Sequence, residues 1–212
     1  MKNILAVGAH FDDIELAAAG TLDYLSSNGA KVYKITLTDN VTKSKNLNLN
    51  VKFDSSKKSS SKACKILGVI EISNQMIKKC NFLKYETSLM QYLEKIINDK
   101  KIDTVFTHYK EDINQDHVAC HQIAVTAARH CQNIMTFQSN FYMTSNPFLP
   151  NFFFDITKNI DSKIKSLKCY DSEHNRNNSL FETTIDRNHV WGMNVGTKYA
   201  EAFLPIKYLK KD

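Results

Sequence analysis

The sequence lacks the long apolar segments that membrane proteins carry. No apolar run in its 212 residues approaches the length that spans a bilayer. The few apolar residues between Asn3 and His10 are too short for a signal peptide. We therefore expect a cytoplasmic protein that does not insert into a membrane.

Cysteine is present in a pattern that excludes two classes of small domain. The count of five is odd, and no two cysteines form a CxxC pair. This pattern predicts single buried thiols in a reducing compartment, and it disfavours both a disulfide framework and a cysteine-zinc site. The cysteines are Cys64, Cys80, Cys120, Cys131 and Cys169.

The sequence also lacks the usual marks of nucleic-acid binding, despite a net charge of +6. The charge comes almost entirely from lysine, without an arginine-rich cluster, zinc-finger spacing or an aromatic RNA-binding run. Two interpretations remain open. The surface either favours anionic small molecules such as nucleotide sugars, or it is a solvated lysine surface with no specific role.

A dinucleotide-binding loop is missing as well. The fingerprint GxGxxG is expected after the first strand, but His10-Phe11-Asp12-Asp13 stands there instead. Negative charge at that position would repel a pyrophosphate. The first loop therefore predicts a different ligand.

The elements that are present predict an α/β fold. Ile4 to Val7 reads as a buried strand, a helix begins near Leu16 and ends at Asn28-Gly29, and Lys31 to Leu37 is β-rich. Strand, helix and strand in about thirty residues form a βαβ unit, which requires parallel strands. We predict one Rossmann-like domain over residues 1–212, with a mostly parallel sheet flanked by helices. The sequence allows a homo-oligomer.

The polar segment Thr38 to Ser61 predicts a mobile loop that runs into a helix ending at Gly68. We expect Ala63, Ile66 and Leu67 on the buried side of that helix. The patterns further along predict, in order, a strand at 69–72, a helix from Tyr85 to Ile97, a strand at 102–107, a helix at 117–131, a strand at 134–138, an edge strand at 151–156, a helix over 160–167, and helical and irregular segments at 179–201 that cover one side of the site.

The first polar cluster lies where the first strand turns into the first helix. It contains His10, Asp12, Asp13 and Glu15. In open α/β sheets, ligands bind outside the carboxyl ends of the strands, and imidazole with carboxylate suits zinc. One aspartate alone would be read as a helix N-cap, and His10 alone as a loop residue. Carboxylates also suit Mg²⁺, but His10 argues against that ion.

The second polar cluster, residues 108–121, again follows a strand and begins a helix, so it should face the same edge of the sheet. Asp116 is an N-cap candidate. His117 and His121 share a helix face, and such a pair can bind one metal. Val118 stands where a complete HExxH motif has glutamate. His117 lies in the first turn, nearer the strand ends, so we expect it to be the ligand.

These residues resemble the LmbE/PIG-L-like family of zinc-dependent N-deacetylases. The family motif Ala-His-Pro-Asp-Asp-x-Glu stands here as Ala9 to Glu15, with Phe11 replacing proline. The motif His-x-Asp-His stands as Asn114 to His117, with asparagine replacing the first histidine. Weaker matches continue to Tyr199–Phe203, so the resemblance covers almost the whole chain. The segment before Ala63 departs from relatives, which leaves the substrate open.

The resemblance implies the roles of individual residues. His10, Asp13 and His117 would bind zinc, and Asp12 would be the general base that takes a proton from the attacking water. Asp116 would orient a histidine. Asn114 departs from the family motif, and because an amide NH₂ can donate, we expect it to be a neutral donor to the oxyanion or to a substrate oxygen. The remaining histidines are expected to be surface or structural: His108, His130, His174 and His189.

The implied function is removal of an N-acetyl group from an amino sugar, sugar nucleotide or related glycoconjugate. Two alternatives remain open. The same site could act on another N-acyl or N-formyl amide, or the protein could be a binding protein that keeps zinc for stability. Asp12 argues against the second alternative, because a purely structural site needs no base.

Overall fold

The structure is a computed structural model, and it describes residues 1–44, 49–170 and 178–209. Its strands are β1 Asn3–Gly8, β2 Lys31–Thr36, β3 Thr42–Ser44, β4 Leu49–Val51, β5 Ile70–Glu71, β6 Thr104–His108, β7 Asn133–Phe137, β8 Phe152–Asp155 and β9 Ala200–Lys207. Its helices are α1 Asp13–Ser27, α2 Phe53–Ile66, α3 Thr87–Asp99, α4 Gln115–Ala127, α5 Ile160–Leu167 and α6 Asn178–Asn194. Among the described residues, no helix combines the length and apolarity that crossing a bilayer requires.

The main sheet has seven strands in the order β5-β2-β1-β6-β7-β9-β8. The first five are parallel, while β9 runs antiparallel to both β7 and β8. The predicted mostly parallel α/β fold is thus confirmed. The predicted edge strand is β8. Strands β3 and β4 pair antiparallel in a separate two-stranded sheet.

Strand β1 lies in the middle of this sheet and is covered on both faces. Leu5 and Val7 pack with α3 and α4, whereas Ile4 and Ala6 pack with α1. Successive side chains of a strand point to opposite faces, so burial on both sides requires an unbroken apolar run. Because β1 and β6 are parallel neighbours, their carboxyl ends meet at one edge, where both polar clusters follow.

A buried ion pair anchors the loop between β1 and α1. Lys34 Nζ donates to the Phe11 carbonyl oxygen at 2.6 Å and to both Glu15 carboxylate oxygens at 2.7 Å. The Tyr170 hydroxyl donates to the same Phe11 oxygen at 2.7 Å. Lys34 and Glu15 are 1% and 0% exposed, so the pair holds residues 11 to 15 from inside the core.

Three predictions about local structure were wrong. The segment Thr38 to Ser61 contains β3, β4 and most of α2 rather than one loop. Ile66 is 38% exposed, because the buried positions of α2 follow a stripe through Ser60, Ala63 and Cys64 that leaves it outside. Tyr85 precedes α3 and is exposed.

Strand β9 was also missed, and its sequence explains why. A charged residue, Glu201, and a proline, Pro205, interrupt its apolar pattern. Glu201 is nevertheless fully buried, because it accepts hydrogen bonds from the backbone N–H groups of Gly20 and Thr21 and pairs with Lys163. These partners lie far away in sequence, so local pattern could not indicate them.

Candidate metal centre

The loop after β1, the start of α1 and the first turn of α4 bring His10, Asp13 and His117 together. His10 Nδ1 lies 3.2 Å from His117 Nε2 and 3.4 Å from Asp13 Oδ2, and His117 Nε2 lies 3.2 Å from Asp13 Oδ1. Zinc bonds of about 2.0–2.1 Å in a tetrahedron place neighbouring ligand atoms about 3.3 Å apart. The spacing of these three groups therefore fits a zinc ion.

Each of the two histidines has a carboxylate within hydrogen-bond distance of the ring nitrogen that does not face Asp13. Asp116 Oδ2 lies 3.1 Å from His10 Nε2, and Asp112 Oδ2 lies 2.9 Å from His117 Nδ1. Such partners set the tautomer of a metal-binding histidine and raise its basicity. They leave His10 Nδ1 and His117 Nε2, the two nitrogens that face Asp13, as the atoms available to a metal.

Asp116 is itself fixed by the segment before α3. Its carboxylate accepts the backbone N–H groups of Asn81 at 2.6 Å and Leu83 at 3.0 Å. The predicted N-cap role of Asp116 was wrong. Asn114 occupies that position, and its side-chain oxygen accepts the Asp116 N–H at 2.9 Å.

Asp13 is the most heavily contacted group of the centre. It accepts the backbone N–H of His10 at 2.7 Å and the hydroxyl of Ser139 at 3.1 Å. His108 Nε2 lies 3.1 Å from the same carboxylate, and the His108 ring stacks on His117 with centroids 4.0 Å apart. The carboxylate is thus held by groups from two loops and from the end of β6, and it cannot rotate freely.

The proton affinities of the centre suit a cation. Burial favours neutral forms, but His117, His108 and His10 hold the pKa of Asp13 well below its usual range. Burial opposes protonation of His117, yet Asp13 and Asp112 raise its pKa to about 9. The same balance, with Asp13 and Asp116, raises the pKa of His10 well above its ordinary value. Burial and the neighbouring His117 lower the pKa of His108 to about 4.

Two other groups in the described residues have metal-ligand spacing, His10–Cys80–Asp116 and His108–Asp112–His117. Each shares one histidine with the central triad and uses the carboxylate that stands behind it. A metal in either place would remove that carboxylate from its hydrogen bond. The central triad keeps both carboxylates in place, so its geometry suits a metal better than that of the other two groups.

Asp12 lies beside this triad, where the loop enters α1. It is 5% exposed, and its side chain makes no cap hydrogen bond to the helix. The N-cap interpretation of Asp12 therefore does not describe this side chain. Asp12 thus directly precedes Asp13 of the triad as a buried carboxylate.

Sequence reasoning missed three residues of the centre: Asp112, Ser139 and His108. Asp112 lies within the second polar cluster, and its spacing of five residues from His117 was the available signal. Ser139 carried no signal. His108, expected to be surface or structural, is fully buried at the end of β6.

The other histidines lie away from the triad. The His121 ring donates from Nδ1 to the His108 carbonyl oxygen at 2.7 Å. His130 and His189 are exposed. His174 lies outside the described residues.

Comparison of the sequence with known protein families identifies the family of this chain. The model of the PIG-L family, described as GlcNAc-PI de-N-acetylase, matches residues 5–128, which include both polar clusters. The chain belongs to the PIG-L family. The resemblance seen in the motifs is thereby confirmed.

Individual proteins that are similar to this chain carry different activities in their names. The chain is 28% identical over 177 residues to the uncharacterized deacetylase YaiS of Escherichia coli, covering 81% of this chain and 91% of YaiS. The N,N'-diacetylchitobiose deacetylase of Pyrococcus horikoshii has a TM-score of 0.78 at 19% identity, covering 97% of this chain and 84% of that one. GalB of Pseudomonas putida, a 4-carboxy-2-hydroxymuconate hydratase, has a TM-score of 0.81 at 19% identity over 100% and 99% of the chains. Identities this low show a shared fold.

Metal retention distinguishes the two histidines of α4. We expect His117→Ala to lose zinc at neutral pH, because it removes one of three ligands. His121→Ala should retain zinc, because His121 faces a backbone carbonyl. Metal content after dialysis checks this. Retention in His117→Ala with loss in His121→Ala would overturn the assignment.

Zinc binding should release protons and strengthen as pH rises. Below pH 9 the metal-free His117 is protonated, and His10 also has a raised pKa, so zinc must displace those protons. We expect about one to two protons released per zinc near pH 7, and fewer above pH 9 because His117 has then lost its proton. Calorimetry in buffers of different ionisation enthalpy measures this number. Release that does not decline above pH 9 would contradict the protonated state assigned to His117.

Proposed function

We propose that this chain is a zinc-dependent N-deacetylase of amino sugars, sugar nucleotides or related glycoconjugates. The observation that carries the proposal is the tetrahedral spacing of His10, Asp13 and His117 with Asp12 beside it. The family description and the deacetylase names of YaiS and the Pyrococcus protein support the reaction. The free cysteines support a reducing compartment such as the cytoplasm.

The proposed chemistry divides between the metal and the side chains. A bound zinc would lower the pKa of water and polarise the amide carbonyl. Asp12 takes the proton of the attacking water, and the same carboxyl group then returns it to the leaving amine. Asp112 and Asp116 keep the two histidines oriented throughout.

Asn114 is proposed to stabilise the oxyanion. Its side-chain oxygen already accepts the Asp116 N–H, so its amide NH₂ is the group that would donate to substrate. An amide has no proton to give a leaving amine. This is why we assign the amine's proton to Asp12 and not to Asn114.

The general base can be tested separately from the metal. Asp12→Asn keeps the shape of the side chain but cannot accept a proton, so turnover should fall about 10²–10⁴-fold while zinc content stays unchanged. The assay measures amine release from N-acetylated sugars, and metal content is the control. Because GalB shares the fold, hydration of an unsaturated acid is measured alongside. Hydration without amine release would replace the deacetylase proposal, and unchanged turnover in Asp12→Asn would remove Asp12 from the mechanism.

Two variants separate the capping role of Asn114 from catalysis. Asn114→Ser retains an N-cap acceptor, whereas Asn114→Ala loses about 0.5–2 kcal/mol of stability. If the amide donates to the oxyanion, both variants should lower kcat by about 10–10³-fold, although only Asn114→Ala is less stable. Thermal unfolding and steady-state kinetics give the two readouts. Full activity in Asn114→Ser would restrict Asn114 to capping.

A further inference from the structure

Arg187 on α6 has a buried guanidinium group without hydrogen bonds. Its three nitrogens, Nε, Nη1 and Nη2, are all buried, and none has a hydrogen-bond partner within residues 1–44, 49–170 and 178–209. The solvent-exposed part of Arg187 therefore does not include its guanidinium nitrogens. Buried polar groups are nearly always paired, and an unpaired one is costly. This group therefore requires an explanation.

Aromatic rings stack on the guanidinium but do not fill its hydrogen bonds. Its central carbon lies 4.0 Å from the ring centroid of Phe141 and 4.6 Å from that of Trp191. Stacking satisfies the faces of the guanidinium plane. The N–H groups point outward in that plane, so five donors remain for an acceptor.

The buried carboxylate that acts electrostatically on Arg187 is already neutralised by a lysine. Glu201 raises the pKa of Arg187, but burial outweighs this and lowers it to about 9, so the group is still cationic at neutral pH. Glu201 itself pairs with Lys163 at 2.6 Å and accepts two backbone N–H groups. In the same core, Glu15 is paired with Lys34. Arg187 is thus a buried positive charge in excess.

Two chain segments connect Arg187 to the metal centre. Ser139 contacts Asp13, and Phe141 follows only two residues later, a span of at most about 7 Å. On the other side, Tyr109 follows His108 and packs on Phe148, which packs on Trp191 with centroids 6.4 Å apart. The guanidinium is therefore within the reach of a substituted sugar whose amide lies at the metal.

We propose that Arg187 binds an anionic group of the substrate, a carboxylate or a phosphate, in a subsite beside the metal centre. The inference rests on the proposed function for the identity of the rest of the substrate. Two parallel N–H groups of a guanidinium match either anion. Access for the anion requires a movement of Phe141, which is 36% exposed and lies between β7 and β8 outside any helix or strand.

The test compares the binding of three probes by calorimetry, without turnover. The probes are methyl N-acetylglucosaminide, N-acetylglucosamine 1-phosphate and N-acetylglucosaminuronic acid. We expect at least one anionic probe to bind about ten- to a hundredfold more tightly than the neutral one, the worth of charge-assisted hydrogen bonds. Arg187→Gln should abolish that advantage. Arg129→Gln is the matched control, because Arg129 lies at the surface beside Glu94. This variant should still bind the anionic probe more tightly than the neutral one.

Unfolding without ligand excludes a purely structural role. Removing an unpaired buried charge should leave the melting temperature of Arg187→Gln equal or higher. The inference would be overturned if Arg187→Gln had a lower melting temperature and bound all three probes equally more weakly. It would also be overturned if the parent protein did not bind an anionic probe more tightly than the neutral one, or if Arg187→Gln still did so. The anionic probe that binds more tightly shows whether the subsite prefers a carboxylate or a phosphate.

Amine release from the neutral probe is measured separately. Amine release without tighter, Arg187-dependent binding of an anionic probe would support the deacetylase proposal and refute the anion subsite. Tighter, Arg187-dependent binding without amine release from any probe would support the anion subsite and refute the deacetylase proposal.

Discussion

The position of the Asp13 carboxylate is the constraint on which the centre depends. It contacts the backbone of His10, the hydroxyl of Ser139 and the rings of His108 and His117. His10, His108 and Ser139 lie at the ends of three adjacent parallel strands, β1, β6 and β7, and His117 lies in the first turn of α4. A shift of any one strand would therefore change the surroundings of the carboxylate, and with it the spacing that fits a metal.

Buried ion pairs keep those strand ends in place. Lys34 holds the backbone carbonyl of Phe11 while it neutralises Glu15, and Lys163 holds the backbone carbonyl oxygens at positions 15 and 16 while it neutralises Glu201. A buried pair adds little net stability over apolar packing, but removing one partner costs about 3–5 kcal/mol. The benefit of these pairs is orientation, because each lysine ties the first loop or the first helix to a distant part of the chain.

How much the sequence could predict depended on the distance between partners. His10 and Asp13 are three residues apart and follow a strand, so composition and position indicated a metal site. The α/β order and the parallel sheet followed from similar local patterns. By contrast, the contact of Ser139 with Asp13 spans 126 residues, and no periodicity reports a contact of that range. The buried charge of Glu201 hid β9 for the same reason, since its partners become visible only in the folded chain.

The fold alone does not decide the reaction, because a hydratase and a deacetylase both share it at about one-fifth identity. The charges of this chain restrict the substrate further. Four carboxylates, Asp12, Asp13, Asp112 and Asp116, belong to the candidate centre, and their summed charge exceeds that of one divalent ion. An anionic substrate group would be repelled there, whereas the neutral amide of an N-acetyl group would not. Any negative charge on the substrate must therefore lie away from the metal, and the stacked guanidinium of Arg187 is a buried cation outside the triad.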